Sequence, residues 1–393
     1  MRRYEKRTRS VVWIVLFFCI VAVCPCIGSA EETLQQQLNQ KIWEELAQID
    51  VSALEELFHD LSGQNLFGSQ SFLQTMQTVL DGSFADNTQS FWQAAARLLF
   101  RTFEQTVPIL CTVIAVGILC GTVGNRKNGL LSGTNDVVFF VCYALAILTV
   151  LAGVMQLVEQ VRQTVFTVKT LLNLVSPPLL TLIAALGGVG SVKVYQPSVA
   201  FLAGGVVEVV ANAVLPLFLF TTVFTVVSNL SKDVKLQKLT EFCKSAGNLA
   251  LGGTFMIFTA FLTVQGLTAA TTDSVSIRAA KFAAKNYVPL LGGYLSDGFD
   301  LILASSTLIK NAFGVGALCL LATAVLAPVL NVLAYSFGLK LASAMLEPLT
   351  DERYTRFLNE TSKNLNLLVA AVIAVAFMVF LTVMLLIFTS NAC

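Results

Sequence analysis

Long apolar segments recur along the chain, and polar stretches separate them. Several contain more than the roughly 18 apolar residues that are typical of a membrane-spanning helix. A soluble core does not need apolar runs of that length. The pattern predicts an all-α, polytopic helical membrane protein with about six spans in three hairpins, at residues 107–124, 137–158, 199–227, 249–270, 313–334 and 367–388.

The composition agrees with a membrane protein and argues against a nucleic-acid-binding protein. Hydrophobic residues make up 55% of the 393 positions, and the mean hydropathy is +0.75. The formal net charge is only +1, and the sequence has no basic cluster with interleaved aromatic residues. We therefore expect the lipid bilayer as a partner and no nucleic acid.

The amino terminus has the pattern of a secretory signal peptide. A stretch with five Lys and Arg residues precedes a short apolar run at 11–23, and Gly28-Ser29-Ala30 suits cleavage. The apolar run is short for a permanent span, although a membrane anchor is the alternative. We predict a signal peptide over residues 1–30. Either a signal or an anchor exports the segment that follows.

Residues 31–106 are predicted to form an extracytoplasmic, acidic, helical domain. From 31 to 90, ten Asp and Glu residues are balanced by a single Lys, which gives a net charge of −9. Ser52 and Glu55 have the spacing of a capping box, and the apolar residues that follow fall on one helical face. These helices either dock a partner protein or cap the membrane part of the chain. The pattern favours neither interpretation.

The predicted membrane domain, 107–393, has three short and basic connections between the paired spans. Basic connections remain in the cytoplasm. An exported amino terminus followed by six spans places all three connections on that side. Their basic residues are Arg126, Lys127, Lys232, Lys235, Lys238, Lys244, Arg353, Arg356 and Lys363.

The six-span topology requires that the segments between the hairpins, 161–198 and 276–312, do not cross the membrane. They contain Pro177-Pro178, Gly187-Gly188 and Gly292-Gly293. Such pairs suit broken helices that are surrounded by protein or face water. We therefore predict re-entrant or interfacial helices between the hairpins. If both segments crossed the membrane, the chain would have eight spans.

Charged residues inside or beside the apolar segments are the candidate functional residues. A charge at the bilayer centre costs a few kcal/mol, so each must meet water or protein. Glu208 interrupts the third span and is either functional or a carboxylate near the span end that reaches the membrane surface or pairs with another helix. The others either line a transport path or form the wet face of an interfacial helix. The candidate conduit or interface residues are Arg278, Lys281, Lys285, Asp297, Asp300, Lys310 and Glu208.

The sequence gives little sign of catalytic, metal or cofactor chemistry. His59 is the only histidine, which removes paired-histidine metal sites and argues against a Ser-His-Asp triad. The nine cysteines include no Cys-x-x-Cys pair, and the glycine-rich nucleotide-binding motifs are missing from the sequence. We predict a protein that is not an enzyme and that needs no cofactor.

One charged stretch resembles the stage III sporulation protein AE family. It reads Gln265-Gly266-Leu267-Thr268, then Asp273-Ser274-Val275-Ser276-Ile277-Arg278-Ala279-Ala280-Lys281, and then Val288-Pro289-Leu290-Leu291-Gly292-Gly293-Tyr294-Leu295-Ser296-Asp297-Gly298-Phe299-Asp300. The order of exported signal, acidic helical segment and paired spans is also similar. The resemblance covers residues 100–388 approximately and is strongest at 265–314.

That resemblance implies a role in endospore formation. Family members lie in the mother-cell membrane around the forespore, in a complex with other stage III sporulation A-operon membrane proteins. The complex meets a forespore-side partner across the intermembrane space. It acts as a channel or secretion-like apparatus and sustains late forespore gene expression. The alternative function is a self-contained secondary transporter that holds a small solute between broken helices.

Overall fold

The computed structural model describes residues 52–61, 71–80, 88–124, 132–230, 236–287 and 292–389, with only the backbone at 88–92, 123–124, 132–136, 138–139, 267–287 and 292–302. The predicted signal peptide and residues 31–51 lie outside the described residues. All regular elements in the described ranges are helices, which confirms the all-α class. They are α1 (Ser52–Leu61), α2 (Phe72–Leu80), α3 (Thr88–Gly124), α4 (Ser132–Ala185), α5 (Val189–Leu230), α6 (Gln237–Tyr287), α7 (Gly292–Leu346) and α8 (Glu352–Phe388).

Six of these helices, α3 to α8, are long and apolar enough to cross a bilayer. Each overlaps one of the six predicted spans, so the prediction of a polytopic membrane protein with six spanning helices is confirmed. Helix α3 runs without interruption past residue 106, where we drew the boundary between the exported domain and the membrane domain.

Three of the helices are much longer than a bilayer is thick. Helices α4, α6 and α7 contain 54, 51 and 55 residues. At 1.5 Å per residue they extend about 75 to 80 Å, whereas the hydrocarbon core measures about 30 Å. A large part of each helix must therefore lie outside the apolar layer.

For the segment at 161–198 we predicted a separate re-entrant or interfacial helix. The structure does not contain such a separate helix there. Helix α4 continues through Pro177-Pro178 to Ala185, and α5 starts only three residues later. Gly187 makes the turn with φ of 87°, and the Gly188 amide donates to the Ile183 carbonyl. Each proline removes only one backbone hydrogen bond from a helix. Packing against the bundle keeps α4 continuous through both prolines. The segment is the tip of a helical hairpin.

The described helix ends that flank the three basic connections lie together at one end of the bundle. The Tyr354 hydroxyl at the start of α8 donates to the Val113 carbonyl of α3 at 2.7 Å. Lys244 Nζ near the start of α6 donates to the Lys363 carbonyl of α8 at 3.1 Å. The tips of the α4–α5 and α6–α7 hairpins consequently lie at the opposite end, as the six-span topology expects.

Helices α7 and α8 form the centre of the bundle. Within their most apolar windows, 67% of the α7 residues and 61% of the α8 residues are buried, against 28% for α3 and 22% for α6. Hydrogen bonds join the centre to its neighbours. The Tyr335 hydroxyl donates to the Val150 carbonyl of α4 at 3.1 Å, and the Asn364 amide donates to Thr225 Oγ1 of α5 at 2.8 Å. Bonds of this kind in a membrane contribute about 0.6 to 2 kcal/mol each.

The described amino-terminal helices pack on the tip end of the bundle. Phe72 and Met76 of α2 are fully buried, and the Phe72 ring meets the Phe313 ring of α7 edge-on at 5.5 Å. The Glu55 carboxylate of α1 accepts hydrogen bonds from the Phe72 and Leu73 amides at 3.2 and 2.9 Å. Glu55, which has capping-box spacing with Ser52, thus caps the next helix. The described part of the segment is a cap on the membrane domain.

Candidate functional site

Five of the seven candidate residues flank the connection between α6 and α7. Three belong to the last turns of α6 and two to the first turns of α7. Because the α6 backbone is helical there, spacings of three and four residues place its basic residues on one face. Their side chains lie outside the described part of the structure. These five are Arg278, Lys281, Lys285, Asp297 and Asp300.

Lys310 is the sixth candidate residue, and it is buried inside the protein. It lies on α7 with 0% of its surface exposed, one turn before the Phe313 that packs against Phe72. An ammonium group in apolar surroundings needs a polar neighbour. Lys310 does make a polar or electrostatic contact within the protein. It therefore belongs to the interior near the amino-terminal cap.

Glu208 is the seventh candidate residue, and its partner lies on another helix. Its Oε1 atom is 3.8 Å from Nζ of Lys169 on α4, and the Asn212 amide donates a hydrogen bond to its Oε2 atom. The Glu208 side chain is 53% exposed and the Lys169 side chain 29% exposed. This carboxylate is stabilised by polar neighbours without being buried.

Two π-helical segments flank Glu208, at Phe201–Val206 and Val210–Val214. A π segment replaces i→i+4 hydrogen bonds with i→i+5 bonds, so each turn contains more residues. In such wider turns, residues that are four positions apart stay close to one line along the helix axis. Gly204, Glu208 and Asn212 therefore form one exposed strip on α5. Such segments occur frequently at functional sites.

The sequence predictions missed the charged residues of α4 that accompany Glu208. Besides Lys169, Glu159 and Arg162 form an ion pair at 3.9 Å with side chains that are 57% and 58% exposed. The spacing of polar residues along α4 could have revealed these charged residues in the sequence. Exposed positions recur every three or four residues from Gln156 to Asn173, and all of them except Phe166 are polar, which is typical of the wet face of a helix. The apolar residues between them conceal that periodicity.

The described site residues offer charge pairing and hydrogen bonding. In the ranges that the structure describes, no group of three or more His, Cys, Asp or Glu residues could hold a metal ion. The arrangement of Lys169, Glu208 and Asn212 suits contact with water or with polar groups of another molecule.

Six long apolar helices, with paired charges on the exposed side of two of them, define a multi-pass helical membrane protein. The profile of the family described as stage III sporulation protein AE matches residues 70–390, and the chain belongs to that family. The resemblance seen in the sequence is thus confirmed. The family is named for a stage of sporulation and not for a reaction.

A relative with a curated description supports the same assignment. The chain is 25% identical to the stage III sporulation protein AE of Bacillus subtilis (strain 168) over 393 residues. That alignment covers 96% of this chain and 97% of the relative. No solved structure matches the chain.

Proposed function

We propose that the protein is an integral membrane subunit of a multi-protein channel or secretion-like complex that links mother cell and forespore. Family membership supports a role in sporulation. The partners are other stage III sporulation A-operon membrane proteins and, directly or indirectly, a forespore-side partner across the intermembrane space. The protein lies in the mother-cell membrane around the forespore, with residues 31–106 outside the cytoplasm. Late forespore gene expression requires it.

One observation supports this proposal: several helices are far longer than a bilayer is thick, and their tips lie at the end opposite to the basic connections. Helices α4 and α7 extend about 80 Å, of which the hydrocarbon core accounts for about 30 Å. Since basic connections remain in the cytoplasm, the projecting tips enter the intermembrane space. A subunit that contacts partners across that space needs such a projection, whereas a self-contained transporter does not.

The amino-terminal cap extends the same projecting surface. Helix α2 is buried against α7 near Phe313 and Gly316, close to the outer end of the bundle. Helix α1 is attached to α2 through Glu55. Tips and cap together provide the protein surface on which other subunits bind.

A secondary transporter is the second candidate function, and the π-helical segments beside Glu208 favour it. Irregular helices near charged residues are common at the substrate sites of transporters. However, 53% of the Glu208 side chain is exposed, whereas solute sites enclose most of their ligand. Solute uptake by the purified protein in vesicles that contain no other protein would favour this second function.

The proposal is tested by removing the two carboxylates near the start of α7. We expect Asp297→Asn combined with Asp300→Asn to leave the protein abundant in the membrane, because six apolar helices drive insertion. Late forespore gene expression should fall by an order of magnitude in a reporter assay, because the tip loses charges that bind its partners. Glu241→Gln, which removes one exposed carboxylate at the basic end, is the control and should retain full expression.

Two results would count against this assignment of the carboxylates. Normal late forespore expression in the double variant would show that the tip charges are only a wet helix face. Loss of the protein from the membrane would show that these residues serve the fold.

A further inference from the structure

The exposed face of α4 changes from apolar to polar along its length. Large apolar side chains are exposed from 137 to 155, and the exposed positions beyond 155 are mostly polar. The apolar part rises about 28 Å, which matches the hydrocarbon thickness of about 30 Å. The exposed apolar residues are Val137, Phe140, Val141, Leu145, Leu148 and Met155. The exposed polar residues are Gln156, Glu159, Arg162, Gln163, Thr170 and Asn173.

The exposed face of α6 stays apolar much farther along the bundle. The helix carries no charged residue from 245 to 272, whereas its first turns contain Lys238, Glu241 and Lys244. The apolar face therefore begins near 245 and continues at least to Val264, which is about 30 Å. The large exposed residues within this stretch are Leu249, Met256, Ile257, Phe261 and Val264, whereas the exposed Leu239 and Phe242 lie among the charged residues of the first turns.

Positions along the central helix α8 serve to compare how far each apolar face extends along the bundle axis. Helices α4, α6 and α8 all begin at the basic end and run in the same direction. Tyr143 of α4 lies against Tyr354 of α8, with 6.0 Å between the ring centroids. Phe255 of α6 lies against Phe377 of α8, with 5.8 Å between the ring centroids. These contacts fix the level of each helix relative to α8.

On this scale the two apolar faces end at different heights. Counting from the contacts of Tyr143 with Tyr354 and Phe357, Met155 on α4 is level with about residue 367 of α8. Counting from the contacts of Phe255 with Phe377 and of Lys244 with Lys363, Val264 on α6 is level with about residue 384 of α8. The difference corresponds to about 25 Å along the bundle axis. Most of the thickness of a hydrocarbon core thus separates the two outer edges.

Helix α5 packs between α4 and α6, and its face changes at an intermediate height. The Asn364 amide of α8 donates to Thr225 of α5, which fixes its level. Phe220 is exposed at the level of about residue 369 of α8, and Asn212 is exposed at about residue 377. The change from apolar to polar therefore climbs steadily from α4 through α5 to α6.

We propose that the bilayer meets this protein along an oblique belt, whose outer edge lies about 25 Å farther from the basic end on α6 than on α4. The bundle axis is inclined in the membrane. A level belt would place either Val137 and Phe140 in the aqueous cytoplasm or Glu159 and Arg162 in lipid. The oblique belt avoids both, because it follows the apolar positions of each helix.

The ion pairs on the polar flank lie at the protein surface. Glu159 and Arg162 are 3.9 Å apart, and Lys169 and Glu208 are 3.8 Å apart. The side chains of Glu159, Arg162 and Glu208 are more than half exposed, which is typical of solvated surface pairs. The polar flank of α4 and α5 is therefore open to water on the outer side, at a height where α6 faces lipid. Water-soluble segments of neighbouring proteins can reach it there.

The test measures local polarity at matched heights on the two flanks. The full chain, with its native cysteines replaced by serine, receives a single cysteine at Gln163, Met256 or Leu145. Gln163 and Met256 are level with nearly the same part of α8, and Leu145 lies near the basic end. A polarity-sensitive fluorophore is attached, and the purified protein is reconstituted in phosphatidylcholine and phosphatidylglycerol vesicles with or without a lipid-linked quencher. A label at Asn173, on the outer tip, supplies the reference for water.

The oblique belt predicts a wet probe at Gln163 with the emission of the Asn173 reference, and dry probes at Met256 and Leu145. Quenching by the lipid-linked quencher should be several-fold greater at the two dry positions. A dry probe at Gln163, or a wet probe at Leu145 or Met256, would overturn the proposal. Because no other protein is present in the vesicles, the outcome does not depend on the proposed complex.

Discussion

Replacement of Gly121 by alanine is expected to sharply reduce the amount of folded protein in the membrane. A Cβ atom at this position of α3 would lie 1.9 Å from the Leu349 carbonyl oxygen, in the turn between α7 and α8. Overpacking usually costs about 1 to 3 kcal/mol. A clash with a backbone atom should cost an amount at the upper end of this range, because no side chain can rotate away to relieve it. Membrane abundance and thermal unfolding in detergent measure the effect.

Gly252→Ala is the matched control for this substitution. No atom lies within 4 Å of a Cβ built on Gly252, and alanine favours a helix by up to about 1 kcal/mol over glycine. The control should be as stable as the parent chain or slightly more stable. If Gly121→Ala proved equally stable, α3 would not pack against the α7–α8 turn as described.

Phe72→Ala is expected to release the amino-terminal cap from the bundle. The Phe72 side chain is fully buried and contacts Phe313, so its removal should cost about 3 to 5 kcal/mol of docking free energy. The six spanning helices do not depend on this contact and should remain folded. Limited proteolysis from the outer side should cleave the region before α3 much faster than in the parent chain.

Gln77→Ala, on the same helix but only partly buried, is the control for the cap. It should leave the cleavage rate near that of the parent chain, because Gln77 is not fully buried and large losses of stability come from buried groups. Equal protease resistance of Phe72→Ala and the parent chain would contradict the docking of α2 on α7.

The spanning helices could be predicted because one strong physical constraint controls them. A bilayer requires long apolar runs, and six such runs are visible in the sequence. Where each helix ends depends on packing, which the sequence pattern does not show. Pro177-Pro178 therefore suggested a break in a helix that in fact continues to Ala185. The positive φ of Gly187 makes the actual turn.

The candidate site was only partly predictable for a related reason. A carboxylate in an apolar run is conspicuous, so Glu208 could be recognised. Its partner Lys169 lies on another helix, and no spacing within the chain connects the two. The height of the lipid-facing surface on each helix likewise depends on how the helices are staggered. That stagger is set by contacts between distant residues, such as Phe255 with Phe377.

The oblique belt and the proposed role in a complex bear on each other. Under both proposals, a bundle that is inclined in the membrane would expose the polar flank of α4 and α5 to the intermembrane space, together with the hairpin tips. Neighbouring subunits can then contact ionic groups such as Arg162 and Glu208 without removing them from water into lipid. Most of the surface of α6 remains available to lipid.

Purification of the tagged protein from sporulating cells in mild detergent tests the central claim most directly. If the protein is a subunit of a multi-protein complex, other stage III sporulation membrane proteins should copurify with it in constant proportion. The same preparation from cells that lack those proteins should yield the tagged chain alone. Recovery as a lone chain from normally sporulating cells, in each of several mild detergents, would contradict the account.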